Sequence, residues 1–279
     1  MALDIREFAS FADGEDFQPA FRAALNALIA QGGGELVIPM PSGTDTYLIG
    51  RRELNAGVAF TGVNVPIKIR GEGRRPRIAM LPSVDTRDFH MFRFERTHAS
   101  ISLDSLCLFG NKDAFPAGQN EQTHLVQVQH ARDISFTNVW FEESVSDGIK
   151  ILGESDDEEN LASDRIQVMG CHFLHNGRDN ILFQRVARRV WVTNNYFDGG
   201  FDSQIHFEPS GGGGIGAPEE IVIAYNHIRN RRLENGVFVP NGRASAITLS
   251  QTHRDRQSYG RRRNFWSKRA RSGNHRQSY

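Results

Sequence analysis

A recurring eight-residue block is the feature that most constrains the fold of this chain, because repeats at a similar spacing indicate stacked structural units. The block ends in an apolar residue and recurs at spacings of 33, 32, 24 and 31 residues. Its five copies are ISLDSLCL (101–108), ISFTNVWF (134–141), IQVMGCHF (166–173), VWVTNNYF (190–197) and IVIAYNHI (221–228). The repeat therefore predicts a solenoid of similar coils.

A second, strand-like block follows the first and carries apolar residues two positions apart, which is the period of a β-strand. Its copies are HLVQV (124–128), DGIKI (147–151), DNILF (179–183), SQIHF (203–207) and NGVFV (235–239). In the last four coils the connection into this block is short, whereas the connection after it varies and includes the long segments 152–165 and 208–220. Insertions at one fixed corner are typical of solenoids, so the pattern predicts a parallel β-helix.

The register of the coils predicts which side chains stack inside the solenoid. One inward column is expected to contain Phe141, Phe173, Phe197 and Ile228, and others to contain Ile149/Ile151, Ile181/Phe183, Ile205/Phe207 and Val237/Val239. Asn138, Asn195 and Asn226 lie near one turn in three coils and predict an approximate ladder of side-chain hydrogen bonds. Cys107 and Cys171 lack metal-ligand spacing and are too few for a disulfide framework, so both are expected in the core.

The amino-terminal segment has a different pattern and predicts one amphipathic helix over about residues 17–30. Asp16 is the expected N-cap, Pro19 lies in the first turn, and the glycines at 32–34 end the helix. Its apolar stripe consists of Phe21, Leu25, Leu28 and Ile29. A helix at this place would cover the open end of the solenoid.

Residues 11–49, FADGEDFQPAFRAALNALIAQGGGELVIPMPSGTDTYLI, resemble the amino-terminal signature of the pectate-lyase superfamily, in the branch of rhamnogalacturonase-like and epimerase-like proteins and phage tailspikes. With the coils, the resemblance covers about residues 4–249. It implies an all-β, right-handed parallel β-helix that binds or acts on polysaccharides. The sequence departs from the signature at residues 15–17, and it lacks the motifs expected of polygalacturonases and of secreted pectate lyases.

The outward residues of the second block are the expected glycan groove, because equivalent residues of stacked strands lie about 4.8 Å apart. One outward column is expected to contain Gln127, Lys150, Leu182, His206 and Phe238, and the next Gln129, Leu152, Gln184, Glu208 and Pro240. The loops 153–164 and 209–220 flank a coil with almost no loop. They would wall a notch whose floor contains Lys150, Leu182, Gln184, Arg185 and His206.

The candidate catalytic residues are Asp147, Lys150, Asp179, Asp202 and His206, and the candidate substrate-binding residues are Gln127, Arg178, Gln184, Arg185 and Glu208. Carboxylates one or two coils apart would lie about 5 or about 10 Å from each other, which brackets the separations in retaining and inverting glycosidases. A lyase instead needs a base near the sugar C5 and a cation at the uronate, for which Lys150, Arg185 and His206 are candidates. The simpler alternatives are turn capping for Asp147 and Asp179, and an ordinary exposed strand residue for His206.

Three function classes remain open at this point. The leading hypothesis is a polysaccharide-active enzyme, a glycoside hydrolase or a lyase; the others are a uronate C5-epimerase and a non-catalytic glycan-binding or tailspike-like module. A homotrimer would favour the last of these. No cofactor is indicated. Residues 156–159 offer oxygen ligands for Ca²⁺ without EF-hand spacing, and residues 211–214 lack the Lys-Ser/Thr of a phosphate loop, so both segments are interpreted as solvated loops.

The formal net charge of zero conceals a basic carboxyl-terminal segment. Residues 251–279 hold nine Lys/Arg and one acidic residue, which leaves 24 Lys/Arg and 32 Asp/Glu in residues 1–250. We therefore expect a β-helix domain over 1–250 and a separate tail over 251–279. The tail is interpreted either as a truncated or frame-shifted end or as a basic arm for nucleic acid, with Tyr259, Phe265 and Trp266 available for stacking.

The sequence shows neither a membrane-spanning apolar window nor a Sec signal, so no membrane partner is expected. A cytoplasmic, virion-associated or otherwise exported location stays open.

Overall fold

The computed structural model describes residues 2–8, 16–41, 43–50, 56–82, 88–115, 122–153, 161–208, 217–229, 231–234, 237–240 and 245–249. Three parallel sheets surround one apolar core, and in each coil the chain passes through sheet I, then sheet II, then sheet III. Within these ranges the chain forms a parallel β-helix with one α-helix near its amino terminus, as predicted.

The strands are numbered along the chain. Sheet I contains β1 (Ala2–Asp4), β2 (Gly34–Val37), β5 (Ile67–Arg70), β8 (Ile101–Asp104), β11 (Arg132–Thr137), β14 (Ser163–Met169), β17 (Ala187–Thr193) and β20 (Glu219–Ala224). Sheet II contains β3 (Thr46–Ile49), β6 (Arg77–Met80), β9 (Cys107–Phe109), β12 (Trp140–Glu142), β15 (His172–Leu174), β18 (Tyr196–Asp198) and β21 (His227–Arg229). Sheet III contains β4 (Ala56–Thr61), β7 (His90–Glu95), β10 (His124–Gln129), β13 (Ile149–Leu152), β16 (Asp179–Gln184), β19 (Ser203–Glu208) and β24 (Ser245–Leu249). The strands β22 (Arg231–Glu234) and β23 (Val237–Pro240) form a separate antiparallel pair, and two short 3₁₀ helices cover Ile5–Phe8 and Lys112–Ala114.

Columns of identical or similar apolar side chains fill the core in the predicted register. Phe173 stacks between Phe141 and Phe197, with ring centroids 4.8 and 4.7 Å apart, and Ile228 continues the column. Phe183 and Phe207 stack in the same way at 4.9 Å. Both cysteines are fully buried, as predicted, and burial raises the pKa of Cys171 to about 12.

The first block of each repeat forms two strands, because the chain bends between sheet I and sheet II. A residue with left-handed backbone recurs at this bend, and the φ angles are 52° at Ser105, 52° at Asn138, 65° at Gly170, 57° at Asn194 and 58° at Tyr225. This bend has one length in all of these coils, so it fixes the angle between the two sheets without changing the register.

The asparagine ladder lies one residue after this bend and holds two of the three predicted members. The Nδ2 group of Asn195 donates to the carbonyl of Val168 and to Oδ1 of Asn226, each at 3.0 Å. The Oδ1 atom of Asn195 accepts the N–H of Cys171 at 2.8 Å, and Asn226 donates to the carbonyl of Val192. Asn138 occupies the left-handed position itself, so the prediction was wrong for that residue.

The amino-terminal helix α1 covers Gln18–Ala30 and packs Phe21, Leu25 and Leu28 into the core. Ile29 is 39% exposed, so the prediction was wrong for this fourth member of the stripe. The N-cap position belongs to Phe17 rather than to Asp16. The Oδ1 atom of Asp16 accepts the N–H groups of Gln18 and Gly50, both at 2.9 Å, so this carboxylate ties the start of the helix to the end of β3.

The last coil departs from the prediction, because Val237 and Val239 do not continue sheet III. The strand β23 pairs antiparallel with β22, and β24 pairs with β19 instead. Ile247 and Leu249 are therefore the register partners of Ile205 and Phe207, although both are exposed, and Thr248 replaces Phe238 beside His206. Pro240 likewise lies in the antiparallel pair. The intervening dipeptide Asn235–Gly236 is a strong sequence signal for a two-residue hairpin connection.

Candidate functional site

The outer face of sheet III carries the two predicted polar columns. Gln127, Lys150, Leu182 and His206 are consecutive register partners, and so are Gln129, Leu152, Gln184 and Glu208. The first column continues toward the amino terminus as Arg93 and the second as Glu95. Side chains that are 23 to 34 residues apart in the sequence therefore become neighbours on one face of the sheet.

A second group of polar residues lies at the start of the sheet III strands. His90 and His124 are register partners, and the pairing of the adjacent strands places His124, Asp147 and Asp179 on consecutive coils. All four side chains are buried. Ser203 follows Asp179 in this column, whereas Asp202 lies one residue earlier and is exposed. The structure therefore brings Asp147 and Asp179 together and leaves Asp202 apart from them.

The centre of the site is a carboxylate–imidazole pair. The Oδ2 atom of Asp179 lies 2.8 Å from Nδ1 of His206 on the next coil. This hydrogen bond raises the pKa of His206 above its ordinary value, although burial opposes it. Burial raises the pKa of Asp179, and the bond to His206 offsets part of that effect. The side chain of His206 is 13% exposed and that of Asp179 is fully buried, so His206 is the member of the pair that reaches the surface.

Arg178 connects this pair to the exposed carboxylate of Glu208. Its Nε atom lies 3.5 Å from Oδ2 of Asp179, and its terminal nitrogen lies 3.4 Å from Oε2 of Glu208. The guanidinium is 17% exposed and the Glu208 carboxylate 36% exposed. The Arg178 guanidinium therefore lies between the carboxylates of Asp179 and Glu208.

Asp147 is wholly buried and acts on the backbone of the next coil. Its Oδ1 atom accepts the N–H of Asp179 at 3.1 Å, and its Oδ2 atom lies 3.1 Å from Nδ1 of His124. Burial alone would raise the pKa of Asp147, but His124 and Arg178 hold it below its usual value. Asp147 thus caps a backbone N–H group, as in the simpler alternative to a catalytic role. The capped group belongs to the neighbouring coil rather than to its own turn.

The remaining candidates lie on or beside the outward columns of sheet III, where Gln127 and Lys150 are buried. The ammonium of Lys150 donates to Oε1 of Gln122 at 2.9 Å, and burial lowers the pKa of Lys150. Gln127 donates to Gln129 at 2.9 Å. Gln184 and Arg185 are half-buried at the end of β16, and Gln184 is the register partner of Glu208.

Parts of the predicted site fall outside the described residues. These parts are residues 154–160, which include the acidic run, residues 209–216, which include the glycine run, and the tail 251–279. Within the ranges that the structure describes, no three His, Cys, Asp or Glu side chains come together as a metal site. Among those same residues, no helix is long and apolar enough to cross a membrane.

Two histidines of the site, His90 and His124, were not predicted from the sequence. Their rings lie nearly parallel, with centroids 5.2 Å apart and an angle of 6° between the planes. The available signal was the first residue of the HLVQV block, which is His124 itself, and the similar segment HMFRF that begins at His90.

Comparison with known proteins finds similarity in structure only. No family model and no curated protein sequence matches the chain. The pre-mature gene product 12 of bacteriophage phi29 has a TM-score of 0.56 and 18% identity, over 80% of this chain and 32% of the phage protein. The catalytic domain of a GH87 α-1,3-glucanase in complex with nigerose has a TM-score of 0.53 and 13% identity, over 87% of this chain and 36% of that one. A Parabacteroides merdae protein proposed to be a glycosyl hydrolase has a TM-score of 0.50 and 13% identity, over 81% of this chain and 94% of that one.

These likenesses define the class of fold. The chain has the parallel β-helix fold that these proteins share, and it spans about a third of the length of the phage protein and of the glucanase domain. At such identities the likeness concerns the fold, so the reaction has to be argued from the site itself.

Proposed function

We propose that this protein binds an acidic, uronate-containing polysaccharide along the outer face of sheet III and cleaves it by β-elimination, with His206 as the base. The observation that carries the proposal is the 2.8 Å contact between Asp179 and His206 beside the guanidinium of Arg178. The register of Gln127, Lys150 and Gln184 supports it, because it aligns polar side chains along the length of sheet III, although Gln127 and Lys150 are only 7% and 5% exposed.

The arrangement suits removal of the proton at C5 of a uronate. In this reaction a base takes the C5 proton, and the electron pair of the C5–H bond forms the C4–C5 double bond. The C4–O4 bond breaks, and the leaving oxygen takes a proton from solvent water. Asp179 holds Nδ1 of His206, so we assign proton transfer to Nε2 in this proposal. Arg178 and Lys150 supply positive charge to stabilise the carboxylate as negative charge develops on it.

The same geometry argues against direct hydrolysis by Asp147 and Asp179. Both carboxylates are fully buried, and Asp147 is engaged with the N–H of Asp179 on the next coil. A glycosidase needs two carboxyl groups that reach opposite sides of the glycosidic bond. His206 lies closer to the surface than either aspartate.

Glycan binding without turnover is the second candidate, and hydrogen bonds and ion pairs among the candidate site residues favour it. Lys150 is bonded to Gln122 and Gln127 to Gln129, and Arg178 lies between Asp179 and Glu208. A binding module needs such a preorganised polar surface and no proton transfer.

The deciding experiment incubates the protein with neutral and uronate-containing polysaccharides and follows reducing ends and the ultraviolet absorbance of unsaturated uronate in the same samples. We expect both signals to rise together on a uronate polymer. H206Q should lower the rate at least about 100-fold, the range expected for a lost general base. H227Q, on an exposed position of sheet II, is the matched control and should leave the rate unchanged.

Each other outcome selects a different function. Reducing ends without absorbance would contradict elimination and indicate hydrolysis. Solvent deuterium incorporated at C5 without chain cleavage would indicate an epimerase. Retention of the polymer on the folded protein without any product would support the binding module.

A further inference from the structure

We infer that His124, three coils before His206, is a positioning residue that aligns His206 through Asp147 and Asp179. The four residues lie at the start of, or on, four consecutive strands of sheet III, namely β10, β13, β16 and β19. The catalytic consequence of this inference depends on the proposed function, whereas its effect on the ionisation of His206 does not.

The inferred relay consists of three contacts, each between neighbouring coils. Nδ1 of His124 lies 3.1 Å from Oδ2 of Asp147. Oδ1 of Asp147 accepts the backbone N–H of Asp179 at 3.1 Å. Oδ2 of Asp179 lies 2.8 Å from Nδ1 of His206. A shift of the Asp147 carboxylate would therefore move the peptide that carries Asp179, and with it the partner of His206.

Burial makes the first contact important for the other two. His124 and Asp147 have no solvent exposure, so water cannot replace either partner if the other is lost. The Oδ1 atom of Asp179 makes no hydrogen bond within the described part of the chain. Its carboxylate is therefore oriented by the Oδ2 contacts and by the backbone that Asp147 holds.

The surroundings of His124 keep its ring neutral and in place. Burial lowers the pKa of His124, Lys150 and Arg178 lower it further, and Asp147 opposes them. The ring of His90 stacks on that of His124, with centroids 5.2 Å apart. Burial lowers the pKa of His90 well below its ordinary value. A neutral imidazole carries one proton, and we assign it to Nδ1, which lies 3.1 Å from Oδ2 of Asp147 although the pair lacks hydrogen-bond alignment.

Two amide variants test which nitrogen of His124 matters. An asparagine amide lies near the place of Nδ1, whereas a glutamine amide lies near that of Nε2. The titration midpoint of His206 is measured by nuclear magnetic resonance without substrate, and its resonance is assigned by comparison with H206Q. H124N should leave this midpoint unchanged. H124Q should move this midpoint down toward the ordinary value, and with a uronate polymer it should lower kcat about 10-fold to 100-fold without changing KM. Equal midpoints in both variants and the wild type would overturn the relay.

A measurement on the wild-type protein tests the relay even if a variant fails to fold. The nitrogen resonances of His124 should report the Nδ1–H tautomer across neutral pH, and finding the Nε2–H tautomer would overturn the inference. The two proposals also fail separately. Absence of turnover on every polymer contradicts elimination and leaves the titration and tautomer results standing. His206-dependent turnover that H124Q does not slow contradicts the relay alone.

Discussion

Removal of the aromatic ring of Phe173 should lower the free energy of unfolding by about 4 kcal/mol. Phe173 is fully buried between Phe141 and Phe197, with ring planes inclined by 11° and 9°. F173A takes roughly 150 Å² of apolar surface out of the core, and about 25 cal/mol per Å² gives a loss near 4 kcal/mol. The cavity between the two remaining rings adds to this cost, because neighbouring coils are held apart by their backbone hydrogen bonds.

The assay is urea unfolding followed by circular dichroism, with F207A as the matched control. Phe207 is partly exposed and stacks on Phe183 at 4.9 Å. F207A should therefore cost about half as much, roughly 2 kcal/mol, with an unchanged dependence on urea in both variants. A smaller loss for F173A than for F207A would refute the reasoning that stacked inward rings stabilise the coils in proportion to their burial.

Three further predictions follow from the contacts. N195A should lower the free energy of unfolding by about 3 kcal/mol in the same urea assay, because it leaves a buried N–H and a buried carbonyl unpaired; a loss under about 1 kcal/mol would contradict the ladder. Because the folded-state pKa of His206 is raised, its bond to Asp179 stabilises the fold fully below pH about 6.5, and this contribution is lost as the pH rises through the folded pKa. Urea unfolding across this window should show the loss in the wild type and not in D179N. R178K should raise KM for a uronate polymer about tenfold with a smaller effect on kcat, because lysine cannot span Asp179 and Glu208; an unchanged KM would place substrate elsewhere.

The fold was predictable because the strand register of a β-helix follows from the spacing of its sequence repeats. Alternation with a period of two sets the inward face, and the spacing between blocks sets which residues stack, as for Phe141, Phe173 and Phe197. The hairpin of β22 and β23 was missed because its apolar alternation resembles that of a sheet III strand. Only the Asn235–Gly236 dipeptide distinguished the two.

The site was predictable in its columns and less so in its contacts. The connections before β16 and β19 have equal length, so counting residues places Ser203 beside Asp179 and excludes Asp202. Grouping the residues by their acidic character instead placed Asp202 with Asp147 and Asp179. The link between His124 and Asp147 depends on side-chain direction at the corner of a coil and on burial there, which alternation does not report.

The constant left-handed bend between sheets I and II makes the coil a removable unit. Gly170 and Asn194 occupy equivalent positions at this bend, so deletion of residues 171–194 would join Gly170 to Asn195, the residue that matches Cys171 in the next coil. Each sheet would then lose one strand and reconnect in register, with Phe141 meeting Phe197. The length of such a protein can therefore change in steps of one whole coil, and shortening by fewer residues at this bend would shift every inward side chain beyond it.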